Sequence, residues 1–358
     1  MGNRRSIFLY PFSIIWGIIT GFRNFLYDKK ILKSRKFSLP VICIGNITVG
    51  GTGKTPHALY LAGLLGSRYN VAVLSRGYRR KTKGFLLAGP SSGTADIGDE
   101  PLLISRKFPD ITVAVDRDRC AGITRILEER PQTGVIVLDD GFQHRRVTPG
   151  LSILLSDYDR PVYRDHLLPY GNLRESRGNL KRADIVIITK TPEDISPEEQ
   201  KAIRESLDLA PGQQLFFSSL VYGDPVPVFK GNTLPGPSSG DPDNGILLLT
   251  GIGNPAPLYN HLRKSYSRVI HLRFSDHHYF RPGDIRKIQK ILTGQKEELK
   301  YVITTEKDAV RLRETGSVAE PLLPVLYYIP VEIDFPDHRK EEFNKLITDY
   351  VGKNLRNN

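Results

Sequence analysis

Six short runs in the first 220 residues are apolar nearly throughout instead of alternating: "PVICIGN" (40–46), "NVAVLSRG" (70–77), "ITVAVD" (111–116), "GVIVLDDG" (134–141), "LSILLSD" (151–157) and "ADIVIITK" (183–190). Strands covered on both faces read this way, so the pattern predicts a buried parallel sheet. Between them, helical spacing predicts helices over 55–67, 99–108, 117–130 and 197–209, the last opening on "SPEEQ", a cap followed by an acidic first turn. Strand and helix alternate, which predicts a doubly wound α/β fold.

Residues 223–245 carry five prolines and five glycines, a density that no helix or central strand survives, and read as a linker or long surface loop. A second α/β pattern follows. It has apolar runs at 245–253, 268–276, 300–308 and 323–333, helices from Pro255 and near 283–293, and a closing helix in "DHRKEEFNKLITDYV". At 358 residues, about two domains are expected.

The N-terminus breaks this rhythm. "SIFLYPFSIIWGIITGF" (6–22) has no charge, and +7 of the chain's net +12 falls within residues 1–40, where Asp28 is the lone acid. Seventeen residues with Pro11, Gly17 and Gly21 make a poor membrane span. Aromatics with basic flanks suit a segment lying on, or dipping into, an anionic membrane surface. A buried N-terminal helix is the competing reading. A cleaved signal peptide lacks its small-residue cleavage site, and the Arg4-Arg5 pair alone is weak evidence for a twin-arginine signal. Charge concentrated beside an apolar segment is wrong for a nucleic-acid stripe, so no nucleic-acid partner is expected. Cys43 and Cys120 make neither a disulfide framework nor a zinc spacing.

"CIGNITVGGTGKTPHAL" (43–59) passes from a strand through glycines into a helix, the context in which backbone N–H groups and a helix N-terminus hold phosphate. Thr48, Val49, Gly50, Gly51, Thr52, Gly53, Lys54 and Thr55 fit the eight-residue phosphate loop except at the first position, Thr48 in place of glycine. Lys54 is placed to reach β- and γ-phosphates, and Thr55 to bind magnesium. Such a loop needs an acid at a neighbouring strand end, and "VIVLDDGFQH" offers Asp139 and Asp140. "GDEP" offers Asp99 and Glu100, which also suit a helix cap. Neither "TKTP" (189–192) nor "TEKD" (305–308) has the base-reading order of a GTPase.

With "GNITVGGTGKTP" (45–56) stand "SRGY" (75–78), "GDEP" (98–101), "LDDGFQH" (138–144), "LLPYGNLRE" (167–175), "GIGNP" (251–255), "DHH" (276–278) and "TTEKDAVRL" (304–312). In this order they resemble the tetraacyldisaccharide 4'-kinase family, the lipid A 4'-kinases, and Thr48 is that family's own form of the loop. The resemblance implies a P-loop NTPase-like doubly wound parallel sheet with a second, smaller α/β domain. It implies transfer of the γ-phosphate of ATP, with Mg2+, to the 4'-hydroxyl of a tetraacylated glucosamine disaccharide 1-phosphate at the cytoplasmic face of the bacterial inner membrane. In it Asp99 looks like the base facing the sugar hydroxyl, with His277 as partner. Asp139 and Asp140 look like magnesium and nucleotide-side acids, with Gln143 and His144 nearby, while Ser75, Arg76, Tyr78, Glu100, Arg174 and Glu175 look like site-lining residues.

The chain then divides into a membrane-associated helix (1–28), a P-loop kinase domain (29–222), a linker (223–245), a second α/β domain (246–335) and a C-terminal helix and tail (336–358). No obligate protein partner is evident. Two bland readings stay open: "TEKD" as a strand end and cap with Lys307 on a solvated face, and "GIGNP" as a tight turn before a helix. The alternative function is a membrane-associated P-loop ATPase acting as a nucleotide switch or chaperone.

Overall fold

A computed structural model describes residues 7–229, 245–295, 298–316, 318, 322–336 and 338–356. Its strands are β1 (Val41–Gly45), β2 (Val71–Ser75), β3 (Leu86–Leu87), β4 (Thr112–Val115), β5 (Val135–Asp139), β6 (Leu151–Asp157), β7 (Ile185–Thr189) and β8 (Gln214–Tyr222). There follow β9 (Val226–Pro227), β10 (Gly245–Thr250), β11 (Arg268–Arg273), β12 (Leu299–Thr305), β13 (Leu326–Ile329) and β14 (Val331–Asp334). Among the described residues they form a nine-stranded sheet, β14-β8-β7-β6-β1-β5-β2-β4-β3, and a five-stranded sheet, β11-β10-β12-β13-β9.

The six apolar runs of the first half become β1, β2, β4, β5, β6 and β7, all parallel to their neighbours in that set. Both faces of the large sheet are covered. On one lie the helices Lys54–Gly66 and Lys340–Arg356, whose Leu61, Leu65, Phe343 and Ile347 share a core with Ile42 and Val137. On the other, Ile123 and Ile126 of Arg119–Glu129 pack with Leu74, Ile136 and Leu154. A fully buried side chain of this size contributes about 1.5–3 kcal/mol, so the C-terminal helix is bound to the large sheet by its own apolar stripe.

Two differences from the sequence reading have local causes. The run 323–333, expected as one strand, is two, because Pro330 has no N–H to donate. β13 pairs with β12 and β9 in the small sheet, and β14 pairs antiparallel with β8 in the large one. Of the stretch read as a linker, Val226–Pro227 is a strand of the small sheet, while 230–244 lie outside the described residues. The two sheets are therefore joined by a pair of adjacent crossings, with Gly223 N donating to Pro330 O at 3.0 Å.

In such folds ligands bind beyond the C-terminal ends of the parallel strands. Here those ends carry the phosphate loop after β1, Ser75 at the end of β2 and Arg76 just past it, Asp139 and Asp140 at β5, Gly251 after β10, His277 after β11 and Glu306 after β12.

The N-terminal helix, Tyr10–Asp28, is inverted relative to an ordinary surface helix. Its buried residues are Ser13 and Asn24, whereas Phe12, Ile18 and Phe22 are 59%, 66% and 62% exposed. Ser13 Oγ donates to Leu167 O at 3.0 Å, Trp16 Nε1 to Arg174 O at 2.9 Å, and Asn24 Nδ2 to Glu175 Oε2 at 3.2 Å. The helix thus lies along the body by its polar groups, which sets aside the buried-helix alternative. No described helix is long and apolar enough to cross a membrane.

Candidate functional site

The phosphate loop leaves β1 at Gly45, where a Cβ would meet that of Phe142 at 2.7 Å, so only glycine lets β1 end this close to the Asp139–Asp140 turn. Three successive carbonyls are then held from behind. Lys190 Nζ donates to Gly51 O at 2.5 Å, Thr189 Oγ1 to Thr52 O at 3.0 Å, and His57 Nδ1 to Gly53 O at 2.8 Å. A trans peptide sets each following N–H opposite its carbonyl, so the Gly53 and Lys54 amides face the other way. With the first turn of Lys54–Gly66 lacking intrahelical acceptors, they form an anion cradle.

Gly53 adopts φ +80, open to glycine at no steric cost. Asn46 Nδ2 donates to Thr52 Oγ1 at 2.6 Å, and Val49 N to Asn172 O at 2.8 Å, fixing the loop's entry beside Thr48. Burial pushes His57 down to about 4, keeping the imidazole neutral with Nδ1–H as donor.

Two acidic pairs face this cradle. Asp140 Oδ1 lies 3.5 Å from both Lys54 Nζ and Arg174 Nη1. Gln143 accepts from Arg174 at 3.4 Å and donates to Asn46 O at 2.6 Å. Burial, Glu100 and Asp140 push the Asp139 carboxyl up to about 7. Burial also acts on Asp140, but Lys54, Arg174 and Arg119 outweigh it and hold that carboxyl below its usual range.

Asp139 Oδ1 is buried without a hydrogen-bond partner, and Asp140 Oδ1 has only its two 3.5 Å ion pairs. An orphaned oxygen and a buried acid with a raised pKa beside it are what a hard cation with oxygen ligands relieves, so the residues fit magnesium. Asp118, Cys120 and His144 also lie within 4.8 Å of one another, but Asp118 caps the helix at Arg119 and pairs with Arg146, leaving that group committed to the fold.

The second pair is Asp99–Glu100. Thr55 Oγ1 donates to Glu100 Oε1 at 3.0 Å. Asp99 receives His277 Nδ1 at 2.9 Å, and the Arg311 guanidinium binds the same carboxylate. Burial opposes the charge on Asp99, yet the His277 bond, Lys307 and Arg311 outweigh it and hold the carboxyl well below its usual range. His277 has φ +58 and Asp140 φ +50, a conformation that costs on the order of 1–3 kcal/mol in a non-glycine residue and gathers at functional sites. The His277 turn is fixed by its N–H to Gly251 O at 3.0 Å and by Arg79 Nη1 to Asp276 O at 2.9 Å.

Other expected residues fall at varied distances from this centre. The Tyr78 ring lies 5.1 Å from that of His277, and Ser75 is buried at the end of β2. Arg76 is exposed and contributes to the field at Arg119. His144 accepts from Arg119 N at 3.2 Å, with burial and Arg119 pushing its pKa down to about 4. Glu175 is bound to Asn24 and Arg182, beneath the N-terminal helix.

Lys307, expected on a solvated face, and three residues not named from the sequence complete the arrangement. Lys307 and Arg311 reach Asp99 and Glu100 from the small sheet, Arg119 donates to the carbonyls of Asp139 and Asp140, and Lys190 holds the phosphate loop. "TTEKDAVRL" carried a signal for the first two. Thr305 does cap the helix Glu306–Glu314, but Lys307 is turned inward with its side chain 15% exposed, correcting the solvated face expected for it.

The family model for tetraacyldisaccharide-1-P 4'-kinase, LpxK, matches residues 5–351. Tetraacyldisaccharide 4'-kinases of Phocaeicola vulgatus and Bacteroides thetaiotaomicron are 48% and 47% identical, each over 98% of this chain and over 96% and 94% of their own length. A crystal structure of LpxK from Aquifex aeolicus in complex with ATP has the same fold, with TM-score 0.71 and 29% identity over 96% of this chain and 98% of that one. Matched along nearly its whole length in sequence and in fold, the chain belongs to the tetraacyldisaccharide-1-P 4'-kinase family.

Proposed function

We propose that the chain transfers the γ-phosphoryl group of ATP to the 4'-hydroxyl of a tetraacylated glucosamine disaccharide 1-phosphate, and that the two acidic pairs divide the work. The observation that carries this is the contact of Thr55 with Glu100, which sets the phosphate loop directly against the Asp99–His277 pair. One side holds a nucleotide and the other accepts a proton.

In this mechanism the amides of Gly53 and Lys54 and the Lys54 ammonium hold the phosphates. Thr55, Asp139 and Asp140 would hold magnesium, which when bound supplies charge neutralisation at the phosphates. The 4'-hydroxyl gives its proton to the Asp99–His277 unit. His277 Nδ1–H donates to Asp99, so in the neutral ring Nε2 carries the lone pair, 3.5 Å from Lys307 Nζ. Phosphoryl transfer has a loose transition state, so positioning and charge outweigh proton transfer, which is worth about 10²–10⁴-fold.

The outward apolar face of Tyr10–Asp28 suits docking on an anionic bilayer at the cytoplasmic face of the inner membrane, as a peripheral protein. That helix contacts Arg174 through Trp16 and Gln143 through Arg23, so the membrane plane and the phosphate site are rigidly related. An acylated substrate stays in the lipid while its sugar reaches the cleft.

ADP release separates this function from a nucleotide switch. It should depend on a lipid bearing a free 4'-hydroxyl and should not respond to one already phosphorylated there. ADP formation indifferent to the acceptor would favour the switch.

A further inference from the structure

Lys307 enters from the small sheet at the start of the helix Glu306–Glu314, and its ammonium stands where both halves of the site meet. Nζ is 2.9 Å from Glu100 Oε1, 3.6 Å from Asp99 Oδ2 and 3.5 Å from His277 Nε2. Glu100 Oε1 is the same oxygen that accepts from Thr55 in the phosphate loop. Lys307 is therefore one side chain away from the nucleotide cradle and in contact with His277 Nε2, the nitrogen that takes the proton in the mechanism proposed above.

A lysine placed only to neutralise buried acid has little need of this position. Asp99 already has Arg311, which is itself 4% exposed and anchored by Asp308 at 2.7 Å. A different ion pair, Lys107 with Glu306 at 3.1 Å, fastens the helix Asp99–Lys107 to the start of Glu306–Glu314. The interface is thus held without Lys307.

We propose that Lys307 is a further catalytic residue, whose ammonium contacts the oxygens of the phosphoryl group in transit; this rests on the phosphotransfer function proposed above. In the step, the bond from the γ-phosphorus to the β–γ bridging oxygen breaks, and that oxygen leaves with ADP, keeping the bonding electron pair. A bond to the 4'-oxygen forms, and the hydroxyl proton goes to the Asp99–His277 unit. Lys307 keeps its protons and adds its positive charge to that of Lys54. Cations delivered in this way to a transferring phosphoryl group are worth 10³–10⁵-fold in the best-studied phosphotransfer enzymes.

The test compares the full chain with Lys307→Gln, Lys307→Arg and Lys107→Gln, using ATP and detergent-dispersed tetraacyldisaccharide 1-phosphate. Lys307→Gln should lower kcat by about 10²-fold or more, while the ATP dissociation constant and melting temperature stay near wild type. Lys307→Arg should recover at least about tenfold over the glutamine variant, because a guanidinium also donates to phosphate. Lys107→Gln should leave kcat unchanged. Overturning results are a glutamine variant within about threefold of wild-type kcat, an arginine variant no better than it, equal losses in Lys107→Gln, or a collapsed melting temperature in Lys307→Gln, which would assign the lysine to the fold. A wild-type protein that phosphorylates no lipid would instead refute the function itself.

Discussion

His277 Nδ1 lies 2.9 Å from Asp99 Oδ2, although the two residues are 178 positions apart, Asp99 opening the helix Asp99–Lys107 beside the large sheet and His277 following β11 of the small one. The pair forms where the small sheet is seated against the large one, so in the proposed mechanism transfer depends on that seating. If they act as one unit, their losses are not additive. Asp99→Ala and His277→Ala should each reduce kcat by about 10²–10⁴-fold, and the double variant should be hardly worse than the poorer single one. Fully multiplicative losses in steady-state kinetics would assign them separate roles.

Lys54 makes its described contact with Asp140 at the mouth of the cradle, not with the core. Lys54→Ala should therefore fold with a near-normal melting temperature and lose about 10²-fold or more in transfer. Turnover close to wild type would remove the loop lysine from the mechanism.

The exposed positions Ile14, Ile18 and Phe22 lie on one stripe of the N-terminal helix, four residues apart. Replacing all three by serine should cut sedimentation with anionic vesicles sharply and raise the apparent KM for vesicle-borne substrate, with partial recovery in detergent. ATP affinity should hold, because the loop is reached through Trp16 and Arg23, which remain. Vesicle binding equal to wild type would place the membrane contact elsewhere.

His144 gives a pH signature. Its folded pKa lies near 4 and its ordinary value is 6.5, so below pH 6.5 the unfolded chain gains a proton that the folded one refuses. The sign is then fixed: this contribution is intact above about pH 6.5 and is lost as pH falls toward 4, at up to ~1.4 kcal/mol per pH unit. His144→Asn should lose less melting temperature than wild type between pH 7 and pH 5. Parallel curves would show that His144 titrates alike in both states.

The large sheet was legible because buried parallel strands write unbroken apolar runs, and the phosphate loop because its cradle is local to ten residues. What escaped was set by contacts distant in sequence. β8 and β14 find each other across more than a hundred residues, and no local pattern marks that pairing. Lys190 and Lys307 carry the ordinary look of charged strand and helix ends, and only the folded chain turns one behind Gly51 and the other onto Glu100. The N-terminal helix was legible as apolar and basic, but not that Ser13 and Asn24 would be its inner face.

In the proposed mechanism the two acidic pairs serve one transfer to a lipid hydroxyl. It is tested most directly by incubating the full chain with γ-labelled ATP, Mg2+ and the tetraacylated disaccharide 1-phosphate, and locating the label on the isolated lipid. One labelled phosphate per lipid is expected, at the 4'-position, formed in step with ADP. Label recovered only as inorganic phosphate, from a folded protein that binds ATP, would contradict it.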